Sequence, residues 1–390
     1  MRRVVFHLFC SLVVTIGLSG VGEAQTLPGK GPSPGPAPRR AQPQPPKPVS
    51  EGEMARAARI NNWTVGITGG LLEGTLIRYA AELGTALDDG DNLRVLPIVS
   101  YGAVGNITDL IYLKGVDFAI TYSDALGHFK KSGEIPGIEN RLNYVIAMFQ
   151  GEVHILARKE IRSVQELAGK VVNFDVLGSA ANYTGGVIFD RLGIKTERQY
   201  LNNAVALEKL RTGEIAAIVH VAAKPNDLFS KVEPSHGLHF LPVDFSSKFD
   251  DFYVPAELSA TEYPALIPQG DTIQTISVPA VLAVFNWKVD TDRYRRCVRF
   301  VEYLFDRFDR LADPPFQPGW KQMNLAGSVP GWTRFPPAQE QIEKMVAKSG
   351  PGVDVALARM QAARAAPNSK VEQDRLFQEF LEWSKRRSRN

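Results

Sequence analysis

From residue 63 onward the chain repeats one grammar: a short apolar run, a glycine turn, then apolar residues at helical spacing. The first instance, 63–87, reads WTVGITGGLLEGTLIRYAAELGTAL. Residues 63–67 have the content of a buried strand, which stops at Thr68-Gly69-Gly70, and Leu72, Leu76, Tyr79, Ala80 and Leu83 then follow a helical period. A helix start leaves N–H groups unpaired where the macrodipole is positive, so such a unit suits an anion. Taken alone it is more often a plain strand-to-helix connection. Two nucleotide-binding readings fail at once. The Gly69 to Gly74 spacing resembles a phosphate loop but puts Thr75 where the lysine belongs, and the dinucleotide glycine fingerprint is absent.

The same pattern then recurs. A second strand is expected at 93–99, a helix through 106–113 after Ser100-Tyr101-Gly102, and a third strand at 116–121 closing on Tyr122-Ser123-Asp124. In a second copy, Ser163-Val164-Gln165-Glu166 has the form of a capping box, with Gly169 as the stop. A strand follows at 171–174, and Gly178-Ser179-Ala180-Ala181 opens a helix to Gly193. A weak strand at 199–201, a helix at 204–210 and a buried strand at 215–220 complete the copy. Both third strands place a Gly just before an acidic residue and an Ala-Ile strand. Alternating strands and helices imply parallel sheets covered on both faces. Two such lobes bring their glycine-started helices to the carboxyl edges of their strands, where open α/β sheets bind ligands.

Two longer apolar stretches, 143–158 and 272–285, read as strands crossing between the lobes. Two crossings make the second lobe an insertion in the first and make the crossing pair a hinge. The expected organisation is therefore a first lobe of 61–152 plus 277–312, a second lobe of 153–276, and an extension, 313–390, packed on or near the first lobe. Prolines at 314, 315, 318, 330, 336 and 337 punctuate the extension, with helices expected at 338–348 and 369–387.

The first sixty residues stand outside this pattern. Arg2-Arg3, an apolar run at 4–18 and Gly22-Glu23-Ala24 have the order of a secretory signal, 1–24, with cleavage expected after Ala24. The run is shorter than the roughly 20 residues of a spanning helix, and Cys10 sits mid-run, away from a lipidation position. The mature chain then keeps only Cys297, so no internal disulfide can form despite export to the periplasm. Residues 25–60 form a linker and lead-in; nine prolines within 25–50 preclude a core there. A formal net charge of +3 without a basic, aromatic-interleaved face gives no case for nucleic acid.

The ordered set TGGLLEGTLIRYAAELG, SYGAVGNITDLIYLKGVDFAITYSD, SVQELAGKVVNFDVLGSAANYT and TISVPAVLAV, behind an export signal, resembles the TAXI-type solute receptors of TRAP transporters. The resemblance covers 63–285, with a looser continuation. It implies an α/β, two-lobed periplasmic-binding-protein-like fold, with two doubly wound sheets joined by a two-strand hinge. It implies a small organic anion as ligand, a dicarboxylate or an amino acid such as glutamate, and a TRAP-type membrane permease as partner. The contacts it implies are Gly69, Gly70, Thr75, Asn106, Tyr122 and Ser123 from the first lobe, and Ser179, Ala180 and the Ala222 to Pro225 turn, which carries Lys224, from the second. Backbone N–H groups at Gly70 and Ser179 would take carboxylate oxygens, Asn106 and Ser123 would orient the ligand, and Tyr122 would close a wall. Asn106 reads equally as an N-cap.

The sequence departs from that family at Glu73, where a small residue is usual. Glu73 either faces water, pairs with Lys224 across the cleft, or receives a ligand amine. An enzyme on this fold has little support. G-x-S-x-G and H-E-x-x-H are absent, and Cys297 lies on the apolar face of a helix with Phe300, Val301 and Leu304. His236 and His239 supply too few ligands for a metal, and no cofactor is expected. A sensor that presents the closed lobes to a membrane signalling protein differs from a transport receptor only in its partner.

Overall fold

The computed structural model describes residues 49–72 and 74–348, with isolated positions at 362, 365, 375–377 and 379. The signal and most of the linker, Glu73 and the helix expected at 369–387 lie outside the described residues, scattered positions of the last excepted. The elements follow in chain order. Helix α1 (Glu51–Asn62) leads in, with the Ser50 hydroxyl accepting from the Glu53 N–H at 3.2 Å. The first alternating set is β1 (Thr64–Gly70), α2 (Thr75–Leu87), β2 (Arg94–Val99), α3 (Ala103–Tyr112), β3 (Phe118–Tyr122) and α4 (Ala125–Ser132). A single turn, α5 (Ile138–Arg141), precedes the long β4 (Leu142–Arg158). The second set is β5 (Val171–Asn173), a helix entered through a π-type turn (Ala181–Gly185) and continued as α6 (Gly186–Leu192), β6 (Glu197–Gln199), α7 (Asn203–Thr212), β7 (Ala217–Ala222) and the turn α8 (Asp227–Ser230). Strands β8 (Leu238–Phe240), β9 (Val254–Ser259) and β10 (Thr272–Phe285) come next, then α9 (Asp292–Leu311) and α10 (Pro336–Lys348).

The strands run in the order β2-β1-β3-β10-β4-β7-β5-β6, with β8 added on β4 and β9 on β10. The order is symmetric. Strands β2, β1 and β3 are parallel, as are β6, β5 and β7, and each trio abuts one of the two long strands antiparallel. Strand β10 pairs with β9 from Thr272 to Ser277 and with β3 from Ala280 to Val284. Strand β4 pairs with β7 only from Glu152 to Ala157, while it follows β10 from Leu142 to Glu152. Each long strand thus belongs half to one lobe and half to the other, which gives the two-lobed α/β fold.

Every residue of β3 is buried, as in a strand covered on both faces. Phe118 and Ile120 point into the layer with α2 and α9, and Ala119 into the layer with α3 and α4, the period of two a strand imposes. Cys297 is buried there beside Phe300, Val301 and Leu304, and burial pushes its thiol well above the usual range. The second lobe has its own core around Leu156, Leu210, Phe229 and Tyr263.

Several boundaries differ from expectation. Strand β1 continues through Gly70, which takes φ +88, and the Gly74 N–H closes a turn on the Leu71 carbonyl at 2.8 Å, so α2 starts at Thr75 rather than Leu72. At Gly69 an added Cβ would lie 2.4 Å from Ile77 Cα, so only glycine lets the helix return this close. The segment at 163–169 forms one 3₁₀ turn, Val164–Leu167, with the Glu166 carboxylate accepting from the Arg162 N–H at 3.0 Å. Residues 312–348 pack on the first lobe. The Trp320 indole N–H donates to Glu82 at 2.6 Å, the Phe335 N–H to the Tyr144 carbonyl at 2.8 Å, and the Trp332 indole N–H to the Ser123 carbonyl at 2.9 Å.

Candidate functional site

The carboxyl ends of β1 and β3 in the first lobe and of β5 and β7 in the second converge on one cavity of about 40 Å³. The first lobe contributes Gly69, Gly70, Leu71, Gly74, Thr75, Leu76, Tyr101, Gly102 and Tyr122, and the second Asp175, Ser179, Ala180, Ala181, His220 and Val221. At roughly 10–15 Å³ per water, this space takes a few waters, so a solute of amino-acid size enters only when the lobes part. They are shut here. Gly102 has φ +128, and an added Cβ would lie 2.9 Å from Ser179 Cα on the opposite lobe. The Gly105 N–H donates to the Gly178 carbonyl at 3.4 Å and the Tyr122 hydroxyl to the Val221 carbonyl at 3.4 Å. At the surface Arg78 meets Asp227 at 3.3 Å.

Three helix starts border the cavity: α2 at Thr75, α3 at its cap Gly102, and the helix entered at Ala181. Their aligned dipoles favour a negative group. The side chains present the opposite character. Among the described residues the lining includes the acid Asp175 and His220 and no lysine or arginine. Asp175 is buried and, at φ 55, is the sole non-glycine residue with positive φ among the described residues. Aspartate tolerates this conformation better than most residues, and such conformers gather at functional sites. Its Oδ1 accepts from the Val176 N–H at 2.9 Å. Burial pushes the His220 imidazole down to about 4, so it is neutral near pH 7. Asn203 Nδ2 lies 3.0 Å from its Nδ1, which assigns the ring proton to Nε2.

Of the residues expected at the site, Gly69, Gly70, Thr75, Tyr122, Ser179 and Ala180 line this cavity. The N–H groups expected to meet a carboxylate are engaged within the protein, Gly70 with Ser100 Oγ at 2.9 Å and Ser179 with the Val176 carbonyl at 3.2 Å. Asn106 is neither an N-cap nor a lining residue. Helix α3 starts earlier than expected, and Asn106 lies buried inside its first turn, donating to the Ile120 carbonyl at 2.6 Å and accepting from Ser100 Oγ. Ser123 is buried behind the wall, its Oγ without a partner. Ala222 ends β7 opposite Glu152. Lys224 turns into its own lobe, 3.1 Å from Glu262 and donating to the Glu257 carbonyl at 2.5 Å. Glu73, the expected partner of Lys224 across the cleft, lies outside the described residues.

Tyr101, Asp175 and His220 were not anticipated. Asp175 carried a signal, being close behind a buried strand at the sheet edge where ligands bind. Two further acids lie buried where the lobes meet. Asp124, at the cap position of α4, is pushed up to about 6 by burial, against hydrogen bonds from Thr184 and Tyr253. Glu152, on β4, is pushed up to about 8 by burial, offset in part by Lys224. His236 and His239 lie apart from the cavity; His236 contacts Arg211, and His239 Nε2 lies 2.7 Å from the Ile161 carbonyl. Among the described residues no group of three or more His, Cys, Asp or Glu could hold a metal, and no helix is long and apolar enough to cross a membrane.

The sequence profile of the NMT1-like family matches residues 68–313. Among solved structures, the periplasmic binding protein BugD is 15% identical with a TM-score of 0.44, covering 73% of this chain and 94% of its own. A TctC solute-binding protein from Polaromonas is 17% identical with a TM-score of 0.36, over 63% of this chain and 88% of its own. An ancestral arginine-binding protein bound to arginine is 16% identical with a TM-score of 0.38, over 64% and 96%. At these scores the likeness is one of outline, and the functional reading stands on the chain's own topology and residues.

Proposed function

The chain belongs to the NMT1-like family, and from that premise we propose that it is a receptor that closes its two lobes around a small organic solute. One observation carries the reading: a cavity at the carboxyl ends of two parallel strand trios of one sheet, lined from both lobes, which are joined through the shared strands β4 and β10. Strand edges of this kind are where open α/β sheets take ligands. The helix starts favour a carboxylate, while Asp175 and the lack of a lysine or arginine among the described lining residues disfavour a bare dicarboxylate. A zwitterion answers both, so the solute class is an amino acid or a related amine-bearing acid, its ammonium toward Asp175 and its carboxylate toward the helix starts.

The finer parts of this reading are that the protein is of the TAXI type, works in the periplasm and delivers its solute to a TRAP-type permease. They rest on the resemblance of the glycine-turn segments and on the export-like N-terminus. A thermal-shift screen of amino acids, amines and dicarboxylates on the full mature chain tests the binding role. A specific solute at one hundred times its Kd should add about 2.7 kcal/mol, seen as a raised Tm. Stabilisation by dicarboxylates alone contradicts the solute class, and stabilisation by none of the panel together with turnover of one contradicts the receptor. Uptake by vesicles carrying a TRAP-type permease, dependent on this chain, tests the partner.

A further inference from the structure

We propose that Asp124 is a proton-operated latch between the lobes: shutting them buries its carboxylate against Thr184 and Tyr253, and the closed form takes up a proton there. The latch rests on the hinged reading above and concerns closure itself, whatever the solute.

Asp124 lies two residues beyond β3, at the cap position of α4 in the first lobe, and is buried. Its Oδ2 accepts from Thr184 Oγ1 at 2.7 Å and from the Tyr253 hydroxyl at 3.0 Å, both in the second lobe. Its Oδ1 is buried with no partner. Two neutral donors on one oxygen and none on the other leave an ionised carboxylate poorly compensated in a dry interface. Its own backbone N–H and the charge of Arg191 offset the burial only in part. Arg191, across the interface, makes paired hydrogen bonds of 2.7 Å to Asp251 and lies over the Tyr253 ring. The other ionisable groups nearby are Tyr122, two positions back; Tyr183, whose ring meets His128; and His128 itself on α4, with Glu134 4.0 Å away. Burial and the Asp124 charge keep the phenols of Tyr122, Tyr183 and Tyr253 protonated. When the lobes part, water replaces Thr184 and Tyr253 and the acid returns to its ordinary range. Closure raises the affinity of Asp124 for its proton, so closure is favoured as pH falls through about 6 and is opposed above it.

Between an ordinary 3.8 and a closed value of about 6, linkage predicts a rise of about ten-fold in the closed-to-open ratio on going from pH 8 to pH 5. Nitroxide labels at Thr85→Cys and Ala204→Cys, exposed on α2 and α7, report the interlobe distance without any solute, in a Cys10→Ser background with the buried Cys297 retained. The expected result is two distance populations, the closed one gaining about ten-fold at pH 5, and an Asp124→Asn chain that favours the closed form at both pH values. Two populations whose ratio ignores pH, or a response that survives in Asp124→Asn, overturn the latch. A response lost instead in Glu152→Gln or His128→Gln also overturns it. One unchanging distance in every variant removes the hinged reading, and the latch with it. If Asp124→Asn does not fold by circular dichroism, Tyr253→Phe decides: loss of one donor must move the midpoint to higher pH, and an unmoved midpoint overturns the latch.

Discussion

Replacing Glu152 by Gln should stabilise the protein in alkaline buffer and leave it nearly unchanged in acid. Glu152 lies on β4 at the changeover from one lobe to the other, buried, with Oε2 lacking any partner. Lys224, whose charge offsets this burial in part, is 3.1 Å from a different acid, Glu262, so its charge is shared. Burial lifts the Glu152 carboxyl from 4.5 to about 8 in the fold. At about 1.4 kcal/mol per pH unit, holding it ionised costs on the order of 5 kcal/mol; relaxation and water entry bring the expected effect to roughly 2–5 kcal/mol. The folded value is raised, so the fold holds a proton that the unfolded chain has released. Stability therefore falls as pH rises from 4.5 to about 8 and is level beyond. Gln keeps the shape and cannot ionise. Urea unfolding of the wild type and Glu152→Gln from pH 5 to pH 9 reads the effect directly, the two curves meeting near pH 5 and separating by the stated amount at pH 9. Curves that stay parallel across the range would refute the assignment of a buried, ionisable burden to this residue.

Gly102→Ala, placing a Cβ 2.9 Å from Ser179 Cα at a left-handed φ, should weaken solute affinity about 5- to 150-fold, as a misfit of about 1–3 kcal/mol does, with calorimetry as the check. Asp175→Asn should lower affinity for amine-bearing solutes by at least ten-fold, about 1.4 kcal/mol, and spare or improve binding of the matching dicarboxylate, measured in paired titrations. Trp320→Ala should destabilise the chain by about 3–5 kcal/mol in denaturant melts, because it removes a buried indole packed on Tyr79 and leaves Glu82 without its 2.6 Å donor.

The strands were legible because burial writes itself as apolar runs: 272–285 coincides with β10 and 143–158 differs from β4 by one residue. The glycine turns were legible too, but not how they bend. Only the left-handed Gly70 and the return of Ile77 against Gly69 explain why α2 waits until Thr75. Strands β8 and β9 were missed because they gain stability from pairing with β4 and β10, which periodicity cannot see. The site followed the same division. Gly69, Thr75 and Ser179, which line the cavity, could be read because helix starts are local features. Asp175 looked like turn punctuation, and Asp124 could not be distinguished from any strand-end acid, since its partners Thr184 and Tyr253 lie 60 and 129 positions away. Asn106 misled for the opposite reason, a residue type common at caps and ligands that here ties a loop to Ile120.

The central claim is that the two lobes close on a solute held between them, and small-angle scattering of the mature chain with and without the solute found by thermal shift tests it most directly. A smaller radius of gyration at saturation, reverting on dialysis and diminished in Gly102→Ala, is the predicted result; a radius unchanged at saturation, with the solute shown to be bound, contradicts it.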